Sequence, residues 1–108
     1  MGQAVVRVES LPADPQAAAA AFYANPPTTP DAGDLVLVFP PAGTAHKDWR
    51  LAAVRDLARD AAPAARVNAV IDGDAAALAT VLAYLADAPG VTGQIFELDG
   101  NSAQASLD

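Results

Sequence analysis

The sequence predicts a small α/β fold in which four parallel strands alternate with three helices. Apolar segments of strand length alternate along the chain with segments of helical periodicity, and the connections between them are short. One strand-like segment, residues 35–39, is apolar at every position, as expected for a strand covered on both faces. Short connections that contain a helix join parallel neighbours, so the predicted order of elements is βαβαβαβ.

The first half of the chain supplies two strands and one helix. Residues 4–9 alternate between two faces, which predicts an edge strand covered mainly on one side. Asp14 offers a helix N-cap and Pro15 suits the first helical position, so a helix is expected over residues 16–24, before two prolines end it. Residues 35–39 then form the predicted central strand.

The second half continues the alternation. A helical pattern spans residues 46–62, and residues 67–71 form another apolar strand. A third helix follows the turn at residues 72–74, and residues 94–98 form the last strand. In the 46–62 helix we expect one apolar stripe facing the core and the charged side chains outside it. The stripe comprises Trp49, Leu51, Ala53, Val54, Leu57 and Ala61, and the charged set comprises Arg50, Arg55, Arg59 and Asp60.

The composition limits the classes of function. The 108 residues suit one domain, expected over residues 1–100 with a flexible C-terminal tail over 101–108. The formal net charge of −7 would repel a phosphate backbone, so nucleic-acid binding is not expected. There is no cysteine and no apolar leader, and we expect a cytoplasmic protein without membrane attachment.

Three segments of the second half resemble the short-chain dehydrogenase/reductase (SDR) family. They are residues 55–70, which contain the run RVNAV, residues 78–87, and residues 91–100, which begin VTGQ and end DG. The RVNAV and TGQ signals in this order are fairly specific, although either alone is weak. The resemblance covers about the last half of the chain and implies a truncated, Rossmann-like SDR domain.

The resemblance also implies that the strands lie side by side in chain order. Right-handed crossovers that all step in one direction place all three helices on one face of the sheet. The other face would then be bare, although the central strand is apolar on both sides. Because a bare apolar face is usually covered by a partner, we expect an obligate oligomer.

Several residues on which the family's chemistry depends are replaced. Lys47 stands at the position of the family's lysine, but Gly43 stands where the tyrosine that protonates the substrate would be. Phe39 and Pro40 replace serines, no Gly-x-x-x-Gly-x-Gly loop follows a strand, and the segment that covers the substrate is missing. The resemblance therefore implies no catalysis and no cofactor, with Lys47 and Asn68 as vestiges of an active site.

The remaining polar candidates have simpler structural explanations. His46 lacks a second histidine or cysteine at ligand spacing, so we expect it in a solvated first turn of a helix. Asp72 and Asp74 could in principle hold a cation, but capping the third helix accounts for them. The loop at residues 40–44 lacks the Lys-Ser/Thr pair of a phosphate loop. No metal site is predicted.

Three functions are compatible with these residues. The first is an SDR-like pseudoenzyme, a non-catalytic subunit that forms a homodimer or pairs with a full-length reductase through Tyr84, Phe96 and Leu98. The second is a partner chain that completes an NAD(P)-dependent oxidoreductase active site with Lys47 and Asn68. The third is a module that binds a small acyl or carbonyl ligand in the reduced cleft.

Overall fold

The computed structural model describes residues 3–27 and 33–98, which contain four strands and three helices. The strands are Gln3–Arg7 (β1), Asp34–Phe39 (β2), Val67–Ile71 (β3) and Ile95–Glu97 (β4). The helices are Pro15–Ala24 (α1), Lys47–Ala61 (α2) and Ala75–Ala86 (α3), and a 3₁₀ turn over Thr44–His46 leads into α2. The tail predicted over 101–108 lies outside the described residues, and the extent of the domain stays a prediction.

The four strands form one parallel sheet in the order β1-β2-β3-β4. This confirms the predicted α/β class, the βαβαβαβ order and the Rossmann-like arrangement. β2 and β3 are the two central strands, and among the described residues β1 and β4 each pair on one side only. The expectation of a buried strand at residues 35–39 is confirmed, since none of these five residues is more than 2% exposed.

Two aspartates define where α1 and α3 begin. The side chain of Asp14 accepts a hydrogen bond from the amide of Ala17 at 2.9 Å, and Asp74 accepts one from the amide of Ala77 at 3.0 Å. Each carboxylate satisfies a backbone donor that has no partner within the helix. No helix within residues 3–27 and 33–98 is long and apolar enough to cross a membrane.

β2 separates two hydrophobic cores, because alternate residues of a strand point to opposite faces. Leu35, Leu37 and Phe39 pack against α1 and α2 on one face of the sheet. Val36 and Val38 pack under α3 on the other face. The protein therefore has three layers, with the sheet between α1 and α2 on one side and α3 on the other.

The expectation that all three helices share one face is wrong. α3 lies opposite α1 and α2, although the connection from β3 to β4 steps across the sheet in the same direction as the two before it. Connections that step the same way on opposite faces have opposite handedness, so the usual right-handed rule cannot hold for all three. Burial gives the physical reason, because α3 covers Val36, Val38 and Val70 with Leu78 and Leu85. The second face is not bare, and that argument for an obligate oligomer no longer holds.

Candidate functional site

A groove of about 600 Å³ runs along α2 and over the neighbouring part of the sheet. One wall follows α2 from Lys47 to Arg55, and the floor includes Ile71 and Ile95 from β3 and β4. One end of the groove reaches the loop after β2 and the last residues of β3 and β4. Open α/β sheets bind ligands outside the carboxyl ends of their strands, so this groove is the candidate ligand site.

Arg50 lies between this groove and a smaller depression near the start of α1. Only 6% of the residue is exposed, and its Nη1 donates a hydrogen bond to the carbonyl oxygen of Pro40 at 2.9 Å. The guanidinium carbon lies 4.6 Å from the centre of the Phe39 ring. Arg50 takes part in none of the ion pairs among the described residues, and its buried Nε has no hydrogen-bond partner there.

The expectation that Arg50 lies outside the apolar stripe of α2 is wrong. Position 50 precedes Ala53, Val54 and Leu57 by three, four and seven residues, which is the spacing of one helix face. This spacing is the sequence signal that places residue 50 on the buried face of α2. The charge of arginine, which is typical of a surface residue, indicated the opposite. Burial lowers the pKa of the Arg50 guanidinium below its ordinary value, because the charged form loses its hydration.

His46 joins the 3₁₀ turn to the loop before α1. The indole N–H of Trp49 donates to Nδ1 of His46 at 3.0 Å, and Nε2 of His46 lies 3.1 Å from the carbonyl oxygen of Ala13. Because indole can only donate, Nδ1 is the acceptor, and Nε2 donates its N–H to the carbonyl oxygen of Ala13. Both ring nitrogens are therefore engaged in structural contacts.

The two turn aspartates after β3 are engaged as well. Asp72 forms an ion pair with Arg7 at 2.7 Å and accepts a hydrogen bond from the amide of Gly73 at 2.9 Å. Asp74 caps α3, as predicted, whereas Asp72, for which the same role was expected, does not. Gly73 itself lies so close to β4 that an added Cβ would fall 2.5 Å from the carbonyl oxygen of Leu98.

Hydrogen bonds connect the RVNAV segment, at the start of β3, to the VTGQ segment, which precedes β4. The side chain of Asn68 donates to the carbonyl oxygen of Val91 at 2.9 Å and accepts from the amide of Gln94 at 3.1 Å. The amide of Gly93, which has a positive φ of 75°, donates to the carbonyl oxygen of Val67 at 2.7 Å. The two segments that carry the family resemblance are therefore hydrogen-bonded neighbours in the fold.

Arg66 connects β2 to α3 at the same end of the sheet. Its guanidinium pairs with Asp34 at the start of β2 and donates to the carbonyl oxygens of Leu85 and Ala88 at the end of α3. The hydrogen bonds and charge of Arg66 lower the pKa of the Asp34 carboxyl, against the opposing effect of its partial burial. A cation at the end of α3 also interacts favourably with the negative end of the helix dipole.

A family model described as "Short chain dehydrogenase-like protein" matches residues 6–98 of the 108-residue chain. The chain belongs to the SDR-like family. The match includes the last two residues of β1 and all of α1, in which the sequence shows no SDR signature. Searches of the curated proteins and of the solved structures gave no match.

The positions that the sequence resemblance assigns to SDR active-site residues lie on both faces of this SDR-like domain. Lys47 is exposed at the start of α2 and lines the groove. Gly43 begins the 3₁₀ turn, and an added Cβ there would have no atom within 4 Å. Asn68 is 3% exposed and belongs to the opposite face, beside the turn before β4. The structure therefore does not bring Lys47 and Asn68 together, which weighs against a shared active site built from both.

The three predicted interface residues have different environments. Tyr84 is 53% exposed, and its ring meets the half-buried ring of Phe96 edge-on with 6.2 Å between centres. Leu98 is only 8% exposed and packs in the core under α3. The side chain of Leu98 therefore has little surface to offer a partner, and its role at an interface stays a prediction. Tyr84 and Phe96 stay candidates for an interface.

Proposed function

We propose that this protein is a non-catalytic SDR-like subunit that forms a homodimer through α3 and β4. The observation that carries the proposal is the outer surface of α3. No charged residue occurs from Ala75 to Ala86, and the positions turned away from the sheet hold alanine, threonine and Tyr84. A helix whose outer face stays in water normally carries charged or polar residues there.

The neighbourhood of α3 also favours a second copy as the partner. Small side chains allow two helices to approach closely, and Tyr84 beside Phe96 supplies aromatic area. β4 pairs only with β3 among the described residues, so its other edge retains backbone donors and acceptors. A twofold contact between the two α3 helices sets no like charges against each other, because residues 75–86 carry no charge, despite the net charge of −7.

The absence of hydride transfer is part of the same proposal. It is supported by the residues themselves, since Gly43 has no phenol to donate a proton, and Phe39 and Pro40 have no hydroxyl. The proposal keeps the cytoplasmic location expected from the sequence. Titration with NADH and NADPH, followed by cofactor fluorescence, should give no saturable change at micromolar protein. A dissociation constant in the micromolar range for either nucleotide would overturn the proposal.

Sedimentation velocity at micromolar concentration tests the association. Wild-type protein should sediment as a dimer, and Ala83→Arg should sediment as a monomer, because a twofold axis would bring two arginines together on α3. Ala20→Arg is the matched control, since Ala20 is an exposed helical alanine on α1, and it should remain a dimer. A wild-type monomer, or a dimer that survives Ala83→Arg, would contradict the proposed interface.

Sedimentation of the wild-type protein mixed with a full-length SDR tests whether the partner is a second copy or a reductase. The homodimer proposal predicts that the dimer persists and that the added SDR sediments separately. Formation of a mixed complex that Ala83→Arg abolishes would show that a reductase, rather than a second copy, is the partner of α3.

A further inference from the structure

Half of the cations in this acidic chain line one groove. Lysine and arginine together number 6 against 13 acidic residues, and three of the six, Lys47, Arg50 and Arg55, lie along the α2 wall of the 600 Å³ groove. The carboxylates that line it are Asp48 and Glu97. Neither is within ion-pair distance of Arg50, because the ion pairs among the described residues all involve other cations.

Arg50 is the centre of this arrangement because its charge is buried without an opposite charge. A guanidinium taken out of water normally has a carboxylate or phosphate partner, since desolvation of an unpaired charge is expensive. Here the protein supplies one carbonyl oxygen, that of Pro40, and the face of Phe39. Nε has no acceptor among the described residues. The side chain is therefore held in place by Pro40 and Phe39 and has no counter-charge among the described residues.

The rest of the groove is apolar enough to contact a hydrocarbon chain. Leu51 on the helix wall and Ile71 and Ile95 on the floor are each partly exposed to it. A cationic end next to an aliphatic surface is complementary to a molecule with an anionic head and a short apolar body. The volume of the groove is within the usual range for a small-molecule site.

We propose that this groove binds a small aliphatic carboxylate, with the carboxylate near Arg50 and Lys47 and the hydrocarbon chain against Leu51, Ile71 and Ile95. Lys47 lies at the mouth of the groove at the start of α2, where the positive end of the helix dipole also favours an anion. Arg50 contributes a planar guanidinium that matches the geometry of a carboxylate. The site lies on the α2 face of the sheet, opposite α3, and shares only β4, through Ile95 and Glu97, with the proposed dimer contact.

Hexanoate is a suitable probe, because its uncharged and cationic analogues are also available. Calorimetric titration of the whole protein should give saturable binding of hexanoate with a sub-millimolar dissociation constant. In ¹H–¹⁵N spectra, the Nε–H resonance of Arg50 should shift along the same titration. Hexanol and hexylamine should bind at least tenfold more weakly than hexanoate, because neither carries the anionic group. Inorganic phosphate should also bind at least tenfold more weakly, because it has no apolar body.

Variants connect the binding to the groove. Arg50→Met should weaken hexanoate binding at least tenfold, and Lys47→Gln should weaken it several-fold. Lys47 is exposed, so the second variant tests the site even if the first disturbs the core. Arg59→Met is the matched control, since Arg59 is an exposed cation of the same helix outside the groove, and it should bind hexanoate as the wild type does.

Three results would overturn the proposal. Absence of saturable hexanoate binding would remove the site. Equal binding by wild type, Arg50→Met and Lys47→Gln would place the ligand elsewhere on the protein. Phosphate binding as tight as that of hexanoate would show that the site selects charge alone and that the carboxylic-acid class is wrong.

Discussion

Replacing Arg50 with methionine should make the unliganded protein more stable. The substitution removes the hydrogen bond to Pro40, worth about 2 kcal/mol for a charged donor, and the contact with Phe39, worth about 1 kcal/mol. It also removes an unpartnered buried Nε and the desolvation of a guanidinium, which together cost about 4 kcal/mol. Pro40 is exposed, so water can replace the lost donor. The free energy of unfolding should therefore rise by about 1 kcal/mol and the melting temperature by about 5 °C.

Urea unfolding, followed by the fluorescence of Trp49 and by circular dichroism, measures this change. Arg59→Met is again the control, and its free energy of unfolding should stay within about 0.5 kcal/mol of the wild type, since exposed ion pairs contribute little. A loss of more than about 1 kcal/mol for Arg50→Met would refute the reasoning, because it would show that the buried guanidinium stabilises the fold. A gain in stability would mean that Arg50 destabilises the fold. Residues that serve binding often have this effect.

Three further predictions concern the ends of the sheet. Asn68→Ala should lower the free energy of unfolding by about 2 kcal/mol in urea titration, because two hydrogen bonds to the turn before β4 are lost; no effect would contradict the structural role of Asn68. Gly73→Ala should cost about 2 kcal/mol, because its Cβ would overlap the backbone of Leu98, whereas Gly90→Ala, with no atom within 4 Å, should change stability by less than about 0.5 kcal/mol. Since Arg66 lowers the pKa of Asp34, that carboxylate stabilises the fold above its ordinary pKa of 3.8, and the contribution is lost as the pH falls through the lower folded-state value. Asp34→Asn should therefore be less stable than wild type at pH 7, and the difference should shrink below about pH 4; a difference independent of pH would refute the electrostatic origin.

The architecture could be predicted from the sequence because each element carries a local signal. The caps Asp14 and Asp74 act within one helical turn, and the apolar run at residues 35–39 requires cover on both faces. These signals depend on residues close together in the chain, so periodicity alone detects them. The family resemblance likewise rests on local motifs.

The position of α3 and the burial of Arg50 could not be predicted from local sequence signals. The face on which α3 packs depends on the burial of side chains from β2 and β3, which lie far from it in the chain. The general rule of handedness favoured the wrong face. Arg50 has the spacing of a core residue and the chemistry of a surface residue, and only the positions of Phe39 and Pro40 decide between them.

The same sheet that separates the two cores also limits how they influence each other. Val54 in α2 and Leu85 in α3 belong to different cores, because alternate residues of β2 and β3 point into one core or the other. A substitution in one layer can reach the other only by displacing the strands themselves. Substitutions at such well-separated sites usually have additive effects on stability. The core layer beside the groove and the core layer beneath α3 can therefore diverge in sequence independently. The proposed ligand preference and the proposed choice of partner could then change one at a time.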